Sequence, residues 1–293
     1  INILKERGYI FESSTRKGYR LIYAPNLLTP LEIDSALHTE TFGRHVVYLS
    51  STTSTNEEAK KIAREGAEEG TIVVAEEQTG GRGRLTRSFY CPFAKGIWFT
   101  LILRPKFFPM EASKCTLMAA VGVCRGIRRL GLQDAGIKWP NDILYHGKKL
   151  VGILTEMSAS MEKIDYIIIG AGINTGMKKS EFPELFRESA TSFLAEGIDV
   201  SRKDLLAAIL AELEKEYEIA QTQGFDKVLE DWKALSVTLG QDVRVIMGEE
   251  NYTGKAVDID KDGCLLVDTG EKVERVIAGD VSIRPIDAPL PKR

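Results

Sequence analysis

Gly80-Gly81-Arg82-Gly83-Arg84-Leu85-Thr86-Arg87 and, well downstream, Lys138-Trp139-Pro140-Asn141-Asp142 are the two stretches on which the reading of this chain turns. The first sets three arginines among three glycines. Such a segment makes a poor core, but its backbone amides are unobstructed by Cβ atoms. Its guanidinium forks also match pairs of phosphate or carboxylate oxygens. Val73, Val74 and Ala75 enter it, and Phe89, Tyr90 and Ile97 follow it. A cationic loop pinned on a core at both ends predicts a lid; the plainer reading is a solvated basic hairpin tip. The second stretch sets Lys138 beside Trp139 and the rigid Pro140, where the apolar stretch begun by Gly136 and Ile137 ends in a turn. An ammonium partly stripped of water acts strongly on oxygens in a dry site; the plainer reading is a surface lysine. Together the two predict an enzyme that makes and holds a phosphate-linked intermediate.

Around them, 42–235 mixes strands and helices. Short apolar runs at 72–75, 97–103, 150–154 and 164–169 predict buried strands, and 57–64, 112–130 and 203–220 predict helices. In the last, Leu205, Leu206, Ile209, Leu210, Leu213 and Tyr217 form one apolar stripe, expected to pack in the core. From Gly240 the texture changes. Val243, Val245, Tyr252, Val257, Ile259, Leu265, Val267, Val273 and Val276 alternate with polar residues between glycines. This predicts a separate small antiparallel β-barrel. At the other end, 1–8 reads as the last turns of a helix stopped by Gly8, and 9–23 as a hairpin. Two readings of this start stay open, the second half of a winged helix-turn-helix or an ordinary hairpin. Because Ile1 falls inside the helical stretch, the natural N-terminus is expected to be missing. The expected class is α+β: a winged-helix remnant at 1–28, a linker at 29–41, a catalytic domain with a central mixed sheet and flanking helices at 42–237, and the barrel at 238–293.

Of 293 residues, 43% are hydrophobic, enough for a sizeable core, and the net charge of −3 makes any nucleic-acid contact local. Cys91, Cys115, Cys124 and Cys264 are scattered, as expected of reduced thiols. No signal peptide or membrane span is visible, so a cytoplasmic location is expected. His38, His45 and His146 are too dispersed for zinc.

Ser54-Thr55-Asn56-Glu57 precedes a predicted helix. Ser54 and Glu57 could form a capping box, while Thr55 and Asn56 offer polar groups to a ligand at the helix N-terminus. Gly248–Lys255 is one residue too long for a phosphate-binding P-loop and lacks its Ser or Thr. The glycines of 170–176 do not space as a dinucleotide fingerprint; they predict a close turn past a ligand, with Asn174 as a polar contact. Asp142 and Glu156 could hold a divalent cation or orient a lysine, and no metal ligand is assigned. Gly152, within Lys149-Leu150-Val151-Gly152-Ile153-Leu154, predicts close packing against a flat ligand.

Ser54-Thr55-Asn56, the Gln78–Arg84 segment, Lys138–Asp142 and Lys149–Leu154 stand in the order and spacing of bacterial biotin protein ligases, which the whole chain resembles. Its first residues resemble the recognition-helix end of the two-function members, ligase and biotin-operon repressor in one polypeptide. The C-terminal segment is similar to the family's Src-homology-3-like barrel. The resemblance implies that biotin and MgATP give biotinyl-5′-AMP, and that a lysine of the biotin carboxyl carrier domain of acetyl-CoA carboxylase then takes the biotin. It implies biotin contacts from Ser54, Thr55, Asn56, Gln78, Arg82, Gly83, Arg84, Lys138 and Gly152. It implies nucleotide contacts from Arg84, Arg87, Phe89, Lys138, Asn141 and Asn174. Lys138 and Arg84 are the expected catalytic pair, and Mg²⁺ the expected metal. A homodimer is expected with adenylate bound, and operator DNA as a partner only of a full-length form. Phe89 stands where relatives usually carry tryptophan, and Thr86 where they often carry glycine before the last arginine. A lipoate-type ligase shares the catalytic architecture, but the tandem arginine-glycine loop and the C-terminal barrel argue against it. A non-catalytic, biotin-sensing repressor is the third reading.

Overall fold

Period-2 alternation along the apolar runs builds a seven-stranded sheet in the order β3-β4-β5-β9-β8-β7-β6. The computed structural model describes residues 1, 5, 9–14, 18–23, 26–84, 87–247, 250–278 and 281–285. The strands are β3 (Val46–Leu49), β4 (Ile72–Ala75), β5 (Gly96–Leu103), β6 (Gly136–Lys138), β7 (Asp142–Tyr145), β8 (Lys148–Ala159) and β9 (Ile164–Asn174). Only β3 and β4 run parallel, so the sheet is mixed, as expected.

Ile72, Val74, Phe99, Leu101, Ile167 and Ile169 point to one face, into the main core. There they meet α3 (Cys115–Arg129), α4 (Arg202–Gln223) and α5 (Asp226–Leu235). The stripe of Leu205, Leu206, Ile209, Leu210, Leu213 and Tyr217 lies in this core. Val73, Ile102 and Ile168 point to the opposite face and pack with Ala59 and Ala63 of α2 (Thr55–Arg64). That single short helix covers only part of its face.

The predicted runs hold, with changes at their ends. The strand expected at 164–169 runs on to Asn174, so Gly170 and Gly172, expected to turn the chain, lie inside β9, and Gly176 follows its end. The start of the helix expected at 112–130 folds as a 3-10 turn, Pro109–Lys114. The segment expected as a linker carries α1 (Pro30–Asp34), with Pro30 in its first turn and Thr29 accepting a bond from Glu32 N–H at 3.4 Å. Leu28, Ile33 and Leu37 of this stretch sit in the main core, so it is packed in place. At the start, β1 (Ile10–Ser14) and β2 (Gly18–Tyr23) form the expected antiparallel hairpin, while most of the helix expected at 1–8 lies outside the described residues. At the other end, β10 (Asp242–Met247), β11 (Glu250–Ile259), β12 (Leu265–Asp268), β13 (Val273–Val276) and β14 (Val281–Pro285) form a five-stranded antiparallel sheet, ordered β13-β12-β11-β10-β14. No described helix is long and apolar enough to cross a membrane.

Two glycines let α3 and α4 approach closely. A Cβ at Gly126 would stand 2.8 Å from Ile209 Cα, and one at Gly122 3.0 Å from Leu213 Cα. Gly126→Ala would gain about 1 kcal/mol of helix propensity but incur about 1–3 kcal/mol of overpacking against a rigid backbone. The expected outcome is a melting midpoint a few degrees lower in a thermal unfolding scan; an unchanged or higher midpoint contradicts this packing.

Candidate active site

Directly paired antiparallel residues share a face of the sheet. The pairs Lys138↔Asp142, Asp142↔Gly152, Gly152↔Gly172 and Gly172↔Trp98 therefore form one row across β6, β7, β8, β9 and β5. The row lies on the face that α2 only partly covers, beside a second row of Leu154, Gly170 and Thr100. Its middle is a floor without side chains. The Phe89 ring rests there: a Cβ would meet it at 3.0 Å from Gly152 and at 2.9 Å from Gly172. The ring also meets Trp98 edge-on at 6.0 Å between centroids. Gly152 was expected to allow close stacking of something flat, and in this arrangement that flat group is Phe89.

The N-terminus of α2 forms the polar wall. Ser54 is the N-cap residue and is buried, but its side chain makes no capping bond, and Glu57 instead takes a hydrogen bond from Lys60 at 3.0 Å. The expected capping box is absent, and Gln78 reaches in from a neighbouring loop to the first helical residue instead. Its Oε1 accepts from Thr55 N–H at 2.8 Å and from the Thr55 hydroxyl at 3.0 Å. The Thr100 hydroxyl lies 2.8 Å from Thr55 Oγ1 and 2.6 Å from Asn56 Oδ1. Asn56 donates to Glu156 at 2.8 Å and to the Leu154 carbonyl at 3.3 Å. It lies so close to β9 that a Cβ on Gly170 would fall 2.0 Å from its Oδ1. Thr55, Asn56, Ser54 and Gln78 are thus brought together, and the orientation of Thr55, Asn56 and Gln78 is set by neighbours before any ligand arrives.

The arginine loop leaves this wall and returns to it. Gln78 bridges to both Thr52 and Cys91, and Arg82 pairs with Ser88. Phe89 N–H donates to the Gly81 carbonyl at 2.9 Å and Gly83 N–H to the Arg87 carbonyl at 2.7 Å, with Leu85 and Thr86 outside the described residues. Gly81 is required by the chain itself, since a Cβ there would sit 2.5 Å from the Phe89 carbonyl oxygen; Gly83 has room. Arg82 is exposed, 3.7 Å from Glu57. Arg84 turns the other way. It donates to Asn141 Oδ1 at 3.4 Å and to the Ala278 carbonyl of the C-terminal unit.

The Lys138–Asp142 turn is held from below. Trp139 N–H donates to Thr238 at 2.9 Å and its indole to the Gly263 carbonyl at 3.1 Å, so the C-terminal unit fixes the turn that carries Lys138. Asn141 donates to the Ile153 carbonyl at 2.7 Å. Asn174, expected to face a ligand, is buried and gives its amide to the Thr191 carbonyl at 3.0 Å, so it braces the end of β9. Lys149 had been singled out only as a neighbour of Gly152. Its ammonium lies 2.7 Å from Asp142 and 5.5 Å from the Phe89 ring centre, which puts a second lysine at the floor. Glu156 holds Lys60 at 2.6 Å. Both carboxylates that could have held a cation therefore orient lysines, and among the described residues no three acidic, Cys or His side chains converge on a metal position. Thr100, Trp98 and Lys149 were not read as site residues from the sequence. Only the cross-strand register brings them there.

Residues 48–174 match the model of the biotin/lipoate A/B protein ligase family, and residues 238–284 match that of the biotin protein ligase C-terminal domain. The bifunctional ligase/repressor BirA of Bacillus subtilis is 39% identical over 97% of this chain and 87% of that protein. The biotin–[acetyl-CoA-carboxylase] ligase of Mycobacterium tuberculosis is 32% identical over 81% of this chain and 88% of that protein. The solved biotin protein ligase of Aquifex aeolicus, in complex with biotin and ATP, superposes with a TM-score of 0.72 at 28% identity, covering 83% of this chain and 99% of that one.

Cys91, beside Gln78, is the one thiol in this wall. Burial pushes it up to about 12, against a smaller opposing effect of the Gln78 hydrogen bond. The thiol therefore stays protonated through mildly alkaline pH. A thiol-reactive disulfide reagent added to the native protein at such pH should label Cys91 only on the timescale of unfolding; immediate labelling would contradict this burial.

Proposed function

Because the chain belongs to the biotin/lipoate A/B protein ligase family, we propose that it is an ATP-dependent biotin protein ligase whose acceptor is the biotin carboxyl carrier domain of acetyl-CoA carboxylase. One observation carries the reading: a glycine floor at Gly152 and Gly172 lies between a preset polar wall and a row of cations. A flat, uncharged ring with a carboxylate tail needs these three surfaces.

In the first step a biotin carboxylate oxygen attacks the α-phosphorus of ATP. A C–O–P link forms, the bond to the β-phosphate oxygen breaks, and pyrophosphate leaves. In the second step the neutral ε-amine of the acceptor lysine attacks the acyl carbon. AMP leaves and the amine loses a proton. Ser54, Thr55, Asn56 and Gln78 hold the ring by hydrogen bonds, with the geometry of the last three already set. Lys138 and Lys149 stabilise charge on the carboxylate and α-phosphate oxygens. Arg82, Gly83 and Arg84 close over the adenylate, and Arg84 and Arg87 meet its phosphate. Phe89 offers adenine a stacking surface without an indole N–H, and Asn141 links Arg84 to β8. Asn174 acts at one remove by bracing β9. Excluding water preserves the mixed anhydride until the acceptor arrives. Mg²⁺ enters with ATP as part of the substrate.

Relatives named bifunctional ligase/repressor favour a second role, biotin-responsive binding to operator DNA. A homodimer of the adenylate-bound form has a place to assemble. Residues 155–159 of β8 pair with β9 on one side and, among the described residues, with no strand on the other.

Biotin-dependent exchange of label between pyrophosphate and ATP tests the first step. It is expected with biotin; exchange with lipoate alone would overturn the substrate. Lys138→Ala should abolish exchange while biotin still binds, and unchanged turnover would contradict the charge argument. Arg84→Gly, which also frees the loop from Asn141 and Ala278, should release biotinyl-adenylate and raise random biotinylation of bystander lysines. No increase would count against the lid.

A further inference from the structure

An ion pair lies beneath the base of the arginine loop, with both side chains almost fully buried (2% exposed for Arg202 and 0% for Glu76). Arg202 Nη1 is 2.8 Å from Glu76 Oε2 and donates to the Asn26 carbonyl at 2.6 Å, while its Nε donates to the Gly96 carbonyl at 2.9 Å. Glu76 Oε1 accepts from Leu28 N–H at 2.7 Å. The Glu76 carbonyl accepts from Ala94 N–H at 2.9 Å. Arg202 Nη2 has no partner among the described residues.

A buried ion pair with a half-used fork is a costly way to fill a core, where apolar side chains of similar size usually do as well or better. It does fix directions. Two residues after Glu76 the chain reaches Gln78, which sets Thr55; at Ala94 the same loop comes back; at Gly96 begins the strand that carries Trp98 and Thr100. Glu76 thus ties the outgoing and returning ends of the loop together. Arg202, at the start of α4, locks that knot to β5 and to the chain at residues 26–28.

We propose that Glu76 and Arg202 are positioning residues for the ligase reaction: the pair sets the base from which the arginine loop closes and links it to residues 26–28. The inference rests on the ligase reading. The pair touches no substrate; it acts through Gln78 and the loop ends.

The test uses Glu76→Gln, which keeps the acceptor for Leu28 but loses the charge, and Arg202→Lys, which keeps the charge but loses the fork. Both are assayed at a temperature where circular dichroism shows them folded. Each should raise the KM for biotin by about tenfold or more, the scale on which small misplacements act, and should increase release of free adenylate. In combination with Arg84→Gly, neither should add to that release, because the lid is already disabled. A purely structural pair would lower the melting temperature yet leave KM and release unchanged in the folded variants, and that result overturns the proposal. Should both variants fail to fold, hydrogen exchange on the unaltered protein decides. Biotin with ATP should slow exchange at residues 26–28 together with 78–94, and slowing at 78–94 alone overturns the link. Absence of biotin-dependent exchange in the unaltered enzyme would instead remove the ligase reading itself.

Discussion

Everything at the site follows from a sheet face that its helices do not fully cover. Alternation sends Ile72, Val74, Phe99, Leu101, Ile167 and Ile169 into the main core, beneath α3, α4 and α5. Of the described helices, α2 packs on the other face, where it shields Val73, Ile102 and Ile168, while Met177 and Phe182 cover Trp98. At the N-terminus of α2, Asn56 lies over Gly170, and beyond the helix the same face carries Gly152 and Gly172 in adjacent strands, with only the Phe89 ring against them among the described residues. The uncovered area would be a liability in a purely structural protein. Here it is bounded by polar groups at the α2 N-terminus, by cations on β6 and β8, and by a loop long enough to fold over it.

The C-terminal unit takes part in holding the site. Its Gly263 carbonyl receives the indole of Trp139, and its Ala278 carbonyl receives Arg84. Lys114, packed over Phe225, reaches the Lys261 carbonyl at 3.3 Å, which strengthens the same junction. The turn bearing Lys138 and the resting position of Arg84 therefore both depend on a unit that sequence texture marked as separate.

Much of this was legible in the sequence, for identifiable reasons. The apolar run 97–103 and the helical stripe through Leu205 and Tyr217 are plain in the sequence. The arginine-glycine loop and the Lys138–Asp142 turn stood out because their composition suits no core. The three-residue Gly136–Lys138 is too short for any period to register. The role of Thr100 was hidden because a threonine in a buried strand looks like any β-former; only its pairing with Gly170 puts it beside Asn56. The capping reading of Ser54 and Glu57 failed because Ser54 makes no capping bond and Glu57 turns to Lys60 instead, while Gln78, from a distant segment, holds Thr55. Lys149 is visible as a charge next to an apolar run, but its reach across the floor to Asp142 depends on the irregular register between β7 and β8.

The most direct measurement is a crystal structure with biotin and a non-hydrolysable ATP analogue bound. The account predicts the Phe89 ring moved off the floor of Gly152 and Gly172 and the biotin ring between that floor and Thr55, Asn56 and Gln78, with Lys138, Lys149 and Arg84 turned toward the carboxylate and α-phosphate. Ligands bound elsewhere, with those three cations pointing into bulk solvent, would contradict it.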